Sequence, residues 1–391
     1  MEMSTYDLTT ENGLRAYLKT TGRSKEVGVA LLSGGTANYV YRVAGIHGFT
    51  SIFKHAAPYL HSNKNFAFDP TRMDYEARAL ELLSPANSNN PISNLLPTSA
   101  VHAVRLLSYD KEAKLLCIED GGNRNLKEAY SNDPDLDVPV VGEELAKWIA
   151  ALHMCSKDIS LALVEQDQDQ ADSTVARTNT DTNTTNNNNP IAINIYRHSY
   201  TNLHRALTEY GYDTSLADRI NAEFGSLIAT DDECVCHGDF WPGNVLVRPR
   251  MSQQKKPIID LTVVDWETVR RGTSATDVGQ FAAEAFLLDR FRGGKGLLPA
   301  FLNAYVVAGG SKATGLMLNK AWARRVVVQW AVHVAYWPTR VAWTNGEGTR
   351  ELVDIGVGVL ERVLSDDWET LLESPLLRDV KEAWAPILAR N

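Results

Sequence analysis

The sequence predicts an α+β fold with an N-terminal five-stranded antiparallel sheet that carries one helix, followed by a mostly helical C-terminal part. Two observations predict the sheet: residues 27–55 contain three short segments rich in β-branched and aromatic residues, and residues 103–120 contain two more. A third observation predicts the helices, because the apolar spacing beyond Gly122 follows a helical period. With 391 residues, of which 44% are hydrophobic, the chain can bury one large or two ordinary cores.

The first three strands are "VGVALL", "YVYRVAG" and "TSIFKHA", and the turn sequences "SGGTAN" and "IHG" separate them. Such short connections predict an antiparallel meander. Lys54 lies inside the third strand, with Ile52 on its own side and Phe53 on the opposite side. This setting is unusual for a solvated lysine.

A helix is predicted in "DPTRMDYEARALELLS", with Asp69 as N-cap and Pro70 at the first helical position. Its apolar face consists of residues near helical spacing: Tyr75, Ala79, Leu82 and Leu83. Two strands follow, "AVRLLSY" and "KLLCIED", joined by the turn "DKEA". They complete the five-stranded sheet.

The C-terminal part starts with helical spacing in "VGEELAKWIAALHMCSK". Residues 165–190 interrupt this pattern and contain almost no apolar side chains. A segment that buries so little cannot offset the entropy of ordering, so we predict a disordered insertion in a surface loop.

Composition excludes several classes of protein. A net charge of −9 argues against nucleic acid as a partner, because phosphate backbones are bound through clustered Lys and Arg. No run of 18 apolar residues and no leader-like N-terminus occur, so we expect neither membrane insertion nor secretion. The four cysteines lack zinc or disulfide spacing, which favours a reducing, cytoplasmic location. Nothing in the sequence indicates the oligomeric state.

The stretch "CVCHGDFWPGNVLV" places His237, Asp239 and Asn244 on one tight loop between two apolar runs. A hydroxyl that attacks a phosphoryl group needs a carboxylate to accept its proton, and metal ligands fixed relative to that carboxylate. We therefore predict Asp239 as the base and Asn244 as a metal ligand. Asp265, at the end of the strand "LTVVD", is the second predicted metal ligand. The alternative is an ordinary turn followed by a strand-end carboxylate.

Taken together, "HGDFWPGNVLV", "VVDWE" and "TSATDVGQF" resemble the motifs of the aminoglycoside phosphotransferase and choline kinase family. These are small-molecule kinases with the protein-kinase-like fold, which consists of two lobes. The resemblance implies ATP and Mg²⁺ as cofactors, Asp239 as catalytic base, and Asn244 and Asp265 as magnesium ligands. It also implies a structural carboxylate at Asp277. We place His237 in the catalytic loop with a structural role, its ring bonded to backbone.

The resemblance makes residues 1–118 a nucleotide-clamping lobe. The turn "SGGTAN" supplies Gly34, Gly35 and Asn38 as nucleotide-binding candidates, since glycines let backbone N–H groups approach phosphates. A glycine pair can also form only a turn.

Lys54 resembles the lysine that binds the α- and β-phosphates in this fold. Glu76, in the following helix, is its predicted ion-pair partner. Glu81 is the rival, although it would face another direction.

Residues 119–123 resemble the hinge between the lobes, and 124–391 form the catalytic and substrate lobe. Backbone groups of Glu119 and Gly121 are predicted to bind adenine. A plain strand ending in a turn would contain the same residues.

Two features argue against a protein kinase: the glycine between His237 and Asp239, and Trp-Glu after Asp265. Only twelve positions separate Asp265 from Asp277, which leaves no room for an activation loop. We therefore predict transfer to a hydroxyl of a small molecule: a sugar such as methylthioribose, an amino alcohol, or an aminoglycoside-like compound. The alternative is a nucleotide-binding pseudokinase or a scaffold without turnover.

The acceptor site is predicted from weaker signals. "SIFKHAAPYL" and "FDPTRMDYEARALELL" resemble methylthioribose kinases, which carry an arginine pair matching Arg324 and Arg325. Neighbouring helical residues point about 100° apart, so one of the two can be merely solvated or salt-bridged. Trp241 and Glu267 are further acceptor candidates. Tryptophans and tyrosines of the C-terminal helices could hold a quaternary ammonium, although such residues are more often core.

Overall fold

The computed structural model describes residues 6–22, 26–33, 35–46, 48–87, 90–93, 95–163, 188–251, 257–310 and 318–390. Within these ranges the strands are β1 (Glu26–Leu31), β2 (Tyr39–Gly45), β3 (Thr50–His55), β4 (Tyr59–Leu60), β5 (Asn63–Ala67), β6 (Val101–Ala103), β7 (Leu106–Asp110), β8 (Leu115–Glu119), β9 (Cys234–Cys236), β10 (Val245–Met251), β11 (Pro257–Val263) and β12 (Arg270–Gly272). The helices are α1 (Glu11–Thr20), α2 (Arg72–Leu83), α3 (Leu126–Asn132), α4 (Val138–Cys155), α5 (Pro190–Tyr196), α6 (His198–Tyr210), α7 (Ser215–Ile220), α8 (Ser274–Phe291), α9 (Leu297–Gly309), α10 (Lys320–Tyr336), α11 (Gly346–Leu364), α12 (Trp368–Leu372) and α13 (Lys381–Leu388).

The N-terminal sheet has five strands in the order β1-β2-β3-β8-β7, and each neighbouring pair is antiparallel. This confirms the predicted sheet and the α+β class. Two features were not predicted: β4 and β5 form a separate hairpin, and β6 pairs in parallel with β11. The segment that contains β6 therefore joins the N-terminal part of the chain to the sheet formed by β10 and β11.

The two faces of the five-stranded sheet bury different partners. Phe53 lies on the face that packs with Leu14 and Leu18 of α1, a helix that was not predicted. Ile52 lies on the other face, within the core that contains α2. Because side chains alternate along a strand, Lys54 shares the face of Ile52. It points toward Glu76 of α2 and toward Asp265.

Helix α2 begins at Arg72, two residues after Pro70, the predicted first residue of the helix. Asp69 instead accepts hydrogen bonds from Thr71 N at 2.9 Å and from Thr71 Oγ1 at 2.7 Å. Asp69 therefore closes the turn before the helix. The predicted apolar face is buried: Tyr75, Ala79, Leu82 and Leu83.

The connection predicted as a hinge follows directly after β8. Arg42 Nε donates to Asp120 Oδ2 at 2.7 Å, which ties this connection to β2. Gly121 packs tightly on β10, since a Cβ there would lie 2.8 Å from the side chain of Leu246. The boundaries at 119–123 remain a prediction.

The C-terminal part is built from helix pairs: α4 packs on α9, and α10 packs on both α8 and α11. The predicted insertion falls mainly outside the described residues, which resume at residue 188. Its last residues differ from the prediction, because Asn189 is fully buried and its side chain caps α5. Asn189 Nδ2 also donates to the carbonyls of Glu267 and Val269, both at 3.1 Å. Among the described helices, none is both long and apolar enough to cross a membrane.

Candidate active site

The loop after β9 holds the carboxylate of Asp239 from two sides. Asn244 Nδ2 donates to Asp239 Oδ2 at 2.9 Å and also to the Asp239 carbonyl at 2.9 Å. Gln280 Nε2, from α8, donates to Asp239 Oδ1 at 2.6 Å. The orientation of the predicted base is therefore fixed. Gln280 lies within the motif "TSATDVGQF", but no role was predicted for it.

His237 shapes this loop and does not contact the carboxylate of Asp239. Its Nε2 lies 3.0 Å from the carbonyl of Val264, and its Nδ1 accepts from Asp239 N at 3.2 Å. Burial lowers the pKa of His237, which keeps the ring neutral and able to accept. These contacts agree with the structural role predicted for His237.

Asp277 anchors the same loop from the first turn of α8. Its carboxylate accepts from His237 N at 2.7 Å and from Gly238 N at 3.1 Å. Gly238 has a φ of 82°, and a Cβ there would lie 1.9 Å from the Thr268 carbonyl. Only glycine fits this position.

Lys54 lies at the centre of an acidic cluster. Its Nζ donates to Glu76 Oε2 at 2.7 Å, contacts Asp265 Oδ1, and lies 3.6 Å from Glu267 Oε2. Burial opposes the charge of Lys54, but these carboxylates outweigh it and raise the pKa. Glu81 is more than half exposed and pairs with Arg78, so the structure brings Glu76, not Glu81, to Lys54.

Glu267 requires a correction, because the structure places it in this cluster and not with an acceptor group. Its Oε2 accepts from Asn38 Nδ2 at 2.6 Å and lies 3.4 Å from Arg72 Nε. Arg72 Nη2 in turn donates to Asn38 Oδ1 at 2.9 Å. Asn38 therefore connects the turn after β1 to the strand end that carries Asp265. Arg72 was missed, since no local pattern indicates a fully buried arginine.

Asp265 is the carboxylate of this cluster that best fits a magnesium ion, because Glu76 and Glu267 are buried and already pair with Lys54 and Arg72. The Asp265 oxygen lies within 4.8 Å of oxygen atoms of Glu76 and Glu267, and carboxylate oxygens are the ligands that Mg²⁺ prefers. Asp265 adopts a φ of 67°, and its side chain is 37% exposed, so it faces the cleft. Burial favours the neutral acid, yet Lys54 holds the pKa of Asp265 below its ordinary value. The amide nitrogen of Asn244 donates to Asp239, which leaves the amide oxygen as a potential metal ligand.

The structure describes only some of the nucleotide-binding candidates in the N-terminal part of the chain. Gly34 lies outside the described residues, while Gly35 is exposed, and a Cβ there would lie 3.7 Å from the nearest backbone oxygen. The N–H of Glu119 donates to the Arg105 carbonyl at 3.0 Å, so the predicted adenine contact of Glu119 falls to its carbonyl and remains a prediction. The adenine contact at Gly121 remains a prediction.

The contacts of Arg324 and Arg325 are with groups other than Asp239. Arg325 forms an ion pair with Asp231, and Arg324 Nη2 donates to the Val363 carbonyl at 3.4 Å. Both line a cavity of about 760 Å³ that Cys234 also lines. Cys234 begins β9, whereas the catalytic loop follows the end of β9. The contacts therefore do not support the predicted role of this pair at the transferred phosphate.

Trp241 lies in the catalytic loop, half-buried, with Lys127 Nζ 5.1 Å from its ring centre. Lys127 also lies 4.1 Å from the ring centre of Trp343, so its ammonium contacts two indoles. Trp322 and Trp330 are core residues, packed against Tyr305 and Phe286 respectively. Assignment of Trp241 to the acceptor remains a prediction.

The charge state of the site predicts a pH dependence. Burial, followed by repulsion from Asp265, raises the pKa of Asp239 to about 7, and burial also raises the pKa of Glu76 to about 7. Both carboxylates are ionised above this pH and protonated below it. Because kcat/KM reports ionisation in the free enzyme, we expect kcat/KM for MgATP to fall as pH drops below about 7. A profile that stays level down to about pH 5 would contradict the assignment of these carboxylates.

The ion pair of Arg325 with Asp231 can be tested by substitution. We expect Arg325→Met to lower the free energy of unfolding by about 3 kcal/mol, because Asp231 would lose its partner in a largely buried pair. Catalytic constants measured below the melting transition should stay close to those of the wild type. A large loss of acceptor turnover without loss of stability would restore the original prediction.

Comparisons with known proteins identify the family of the chain. Residues 28–318 match the family described as "Phosphotransferase enzyme family". Two 4-hydroxytryptamine kinases are similar over nearly their full length: that of Psilocybe cyanescens is 28% identical, covering 96% of this chain and 99% of the relative, and that of Psilocybe cubensis is 25% identical, covering 97% and 99%. The solved structure of an ethanolamine kinase from Plasmodium vivax is 14% identical with a TM-score of 0.46, covering 90% of this chain and 89% of that one. The chain belongs to the phosphotransferase enzyme family, and it is a small-molecule kinase with a hydroxyl group as acceptor.

Proposed function

We propose that the protein transfers the γ-phosphate of ATP, with Mg²⁺, to the hydroxyl of a small aromatic amine, and that a hydroxytryptamine is the first acceptor to test. One observation carries the kinase reaction: Asp239 is held by Gln280 and Asn244, while Lys54 is held among the predicted metal ligands. The acceptor class comes from the names of the two similar kinases.

The chemistry follows from these positions. The acceptor oxygen attacks the γ-phosphorus, the bond between the γ-phosphorus and the β,γ-bridging oxygen breaks, and ADP leaves. Asp239 orients the hydroxyl and accepts its proton. Lys54, aimed by Glu76, contacts the phosphates of the donor. Asp265 and Asn244 would hold Mg²⁺, which would supply positive charge against the phosphates.

Two other acceptor classes have less support. The prediction of a methylthioribose-like sugar depended on Arg324 and Arg325, whose contacts are with Asp231 and Val363. The prediction of a quaternary ammonium depended on aromatic side chains that line a site, yet Trp322 and Trp330 are core residues. The complete set of base, lysine and metal ligands argues against a nucleotide-binding pseudokinase or a scaffold without turnover.

An acceptor panel tests the proposal. Purified protein would be incubated with MgATP and, separately, 4-hydroxytryptamine, 5-hydroxytryptamine, ethanolamine, choline, methylthioribose and an aminoglycoside, and products would be identified by mass spectrometry. We expect a phosphate monoester with a hydroxytryptamine and higher kcat/KM than with the non-aromatic acceptors. Preference for any non-aromatic acceptor would overturn the proposed class.

A further inference from the structure

Three buried metal-ligating side chains meet at β9, the strand that leads into the catalytic loop. Cys234 and Cys236 lie two positions apart in β9 and so share one face of the strand, and His153 comes from α4. The sulfur atom of each cysteine and a ring nitrogen of His153 all lie within 4.8 Å of one another. No local spacing in the sequence indicates this cluster, because His153 belongs to a distant helix.

These separations are close to those around a bound metal. Zn²⁺ binds sulfur at about 2.3 Å and imidazole nitrogen at about 2.0–2.1 Å, so tetrahedral coordination places such ligand atoms about 3.6–3.8 Å apart. The three ligand atoms would therefore have to approach one another by about 1 Å at most. All three side chains are buried, so water does not compete for them.

Arg270 brings positive charge to the thiols. It is the cross-strand partner of Cys236, and Gly272 is that of Cys234. A Cβ at Gly272 would lie 1.9 Å from Arg270 Nη1 and 3.3 Å from Cys236 Sγ, so both groups face the same space. Nε and Nη1 of this fully buried guanidinium have no hydrogen-bond partner among the residues that the structure describes. A neighbouring cation favours the thiolate, which is the form of cysteine that binds metals.

His153 has the surroundings of a metal-binding imidazole. Its Nε2 lies 3.2 Å from Asp277 Oδ2, and its Nδ1 lies 2.9 Å from the hydroxyl of Tyr305. A histidine that binds a metal through one nitrogen is usually held by a hydrogen bond at the other. One of these two contacts would give way to the metal, and the other would fix the ring.

We propose that Cys234, Cys236 and His153 form a binding site for Zn²⁺, separate from the magnesium site at Asp265. Thiolate and imidazole ligands select Zn²⁺, whereas Mg²⁺ takes oxygen ligands. Each thiol loses its proton to solvent as its bond to the metal forms. Cys234 also lines the cavity of about 760 Å³, which gives the ion a path to the site.

A calorimetric titration tests the site. Full-length protein, freed of metal with a chelator, would be titrated with Zn²⁺ in a large excess of Mg²⁺, which occupies oxygen ligands. We expect the wild type to bind about one Zn²⁺ per chain. In Cys234→Ala the affinity should fall by about a hundredfold or more, because a direct ligand is lost.

Cys117→Ala is the matched control, since Cys117 is equally buried but lies in β8. This variant should keep the affinity of the wild type, and melting temperatures would show that both variants are folded. Absence of stoichiometric binding in the wild type, unchanged affinity in Cys234→Ala, or equal loss in Cys117→Ala would overturn the proposal. None of these outcomes depends on phosphate transfer, so this inference and the proposed function fail separately.

A spectroscopic measurement on the wild type covers the case in which Cys234→Ala does not fold. Co²⁺ would be added in place of Zn²⁺, because thiolate ligands give Co²⁺ an intense charge-transfer absorption that oxygen ligands do not. We expect this absorption to appear and to disappear when about one equivalent of Zn²⁺ displaces the cobalt. A cobalt spectrum without thiolate absorption would contradict the site.

Discussion

Asp239→Asn is expected to lower turnover by on the order of a hundredfold or more, while the affinity for MgATP stays close to that of the wild type. The amide cannot accept the proton of the acceptor hydroxyl. Gln280 and Asn244 each donate to one oxygen of the Asp239 carboxylate. The amide replaces one of these oxygens by a nitrogen that cannot accept, so one of the two hydrogen bonds is lost and the loop is disturbed. Steady-state kinetics and calorimetric titration with a non-hydrolysable ATP analogue would measure the two effects separately. Full turnover in the variant would contradict the role of Asp239 as base.

Asp265→Asn is expected to slow turnover as strongly and, in addition, to weaken magnesium-dependent nucleotide binding by about tenfold or more. The variant loses a charged oxygen ligand for Mg²⁺, and Lys54 loses one of its contacts. Titration with the same ATP analogue at several magnesium concentrations would separate loss of the metal from loss of the lysine contact.

The two variants serve as controls for each other, since both replace a carboxylate in the same cleft by an amide of equal size. They should agree in being slow and differ in nucleotide affinity. Melting temperatures without ligand would show that each variant is folded. Equal loss of nucleotide affinity in both would contradict the separation of base and metal ligand.

Local sequence was sufficient for the residues that act from a single short segment. The spacing of His237, Asp239 and Asn244 is set by one tight loop, so the sequence alone indicates that they lie together. Alternation in β3 placed Lys54 on the inner face of the sheet, and helical direction favoured Glu76 over Glu81. The structure agrees in each case, because these relations depend only on geometry within one or two elements.

Residues that act across the fold could not be found in this way. Asn38 and Glu267 meet although 229 positions separate them, and no periodicity encodes such a contact. Gln280 and Glu284 look like ordinary polar positions of a helix, because their burial depends on α10 and on the catalytic loop. Asn189 follows a polar tract with almost no apolar side chains to pack, yet it caps α5 and holds the segment after Asp265.

The predicted role of Arg324 and Arg325 rests on a resemblance alone, and their contacts in the structure do not support it. A resemblance suggested a place near the phosphate, but the pairing of Arg325 depends on Asp231, which lies 94 positions earlier in the chain. Which face of a buried helix meets the active site is decided by its neighbours. For α10, the half that contains Arg325 meets Asp231, and the other half brings His333 to Glu284.

The central claim is that phosphate passes from ATP to an acceptor hydroxyl at Asp239. A single-turnover reaction with γ-phosphate-labelled ATP, 4-hydroxytryptamine and Mg²⁺ tests it most directly, with the wild type and Asp239→Asn run in parallel. We predict that the label appears in a phosphate monoester of the acceptor, only with Mg²⁺, and far more slowly in the variant. Label found only in inorganic phosphate, or transfer to the acceptor at the same rate in both proteins, would contradict the claim.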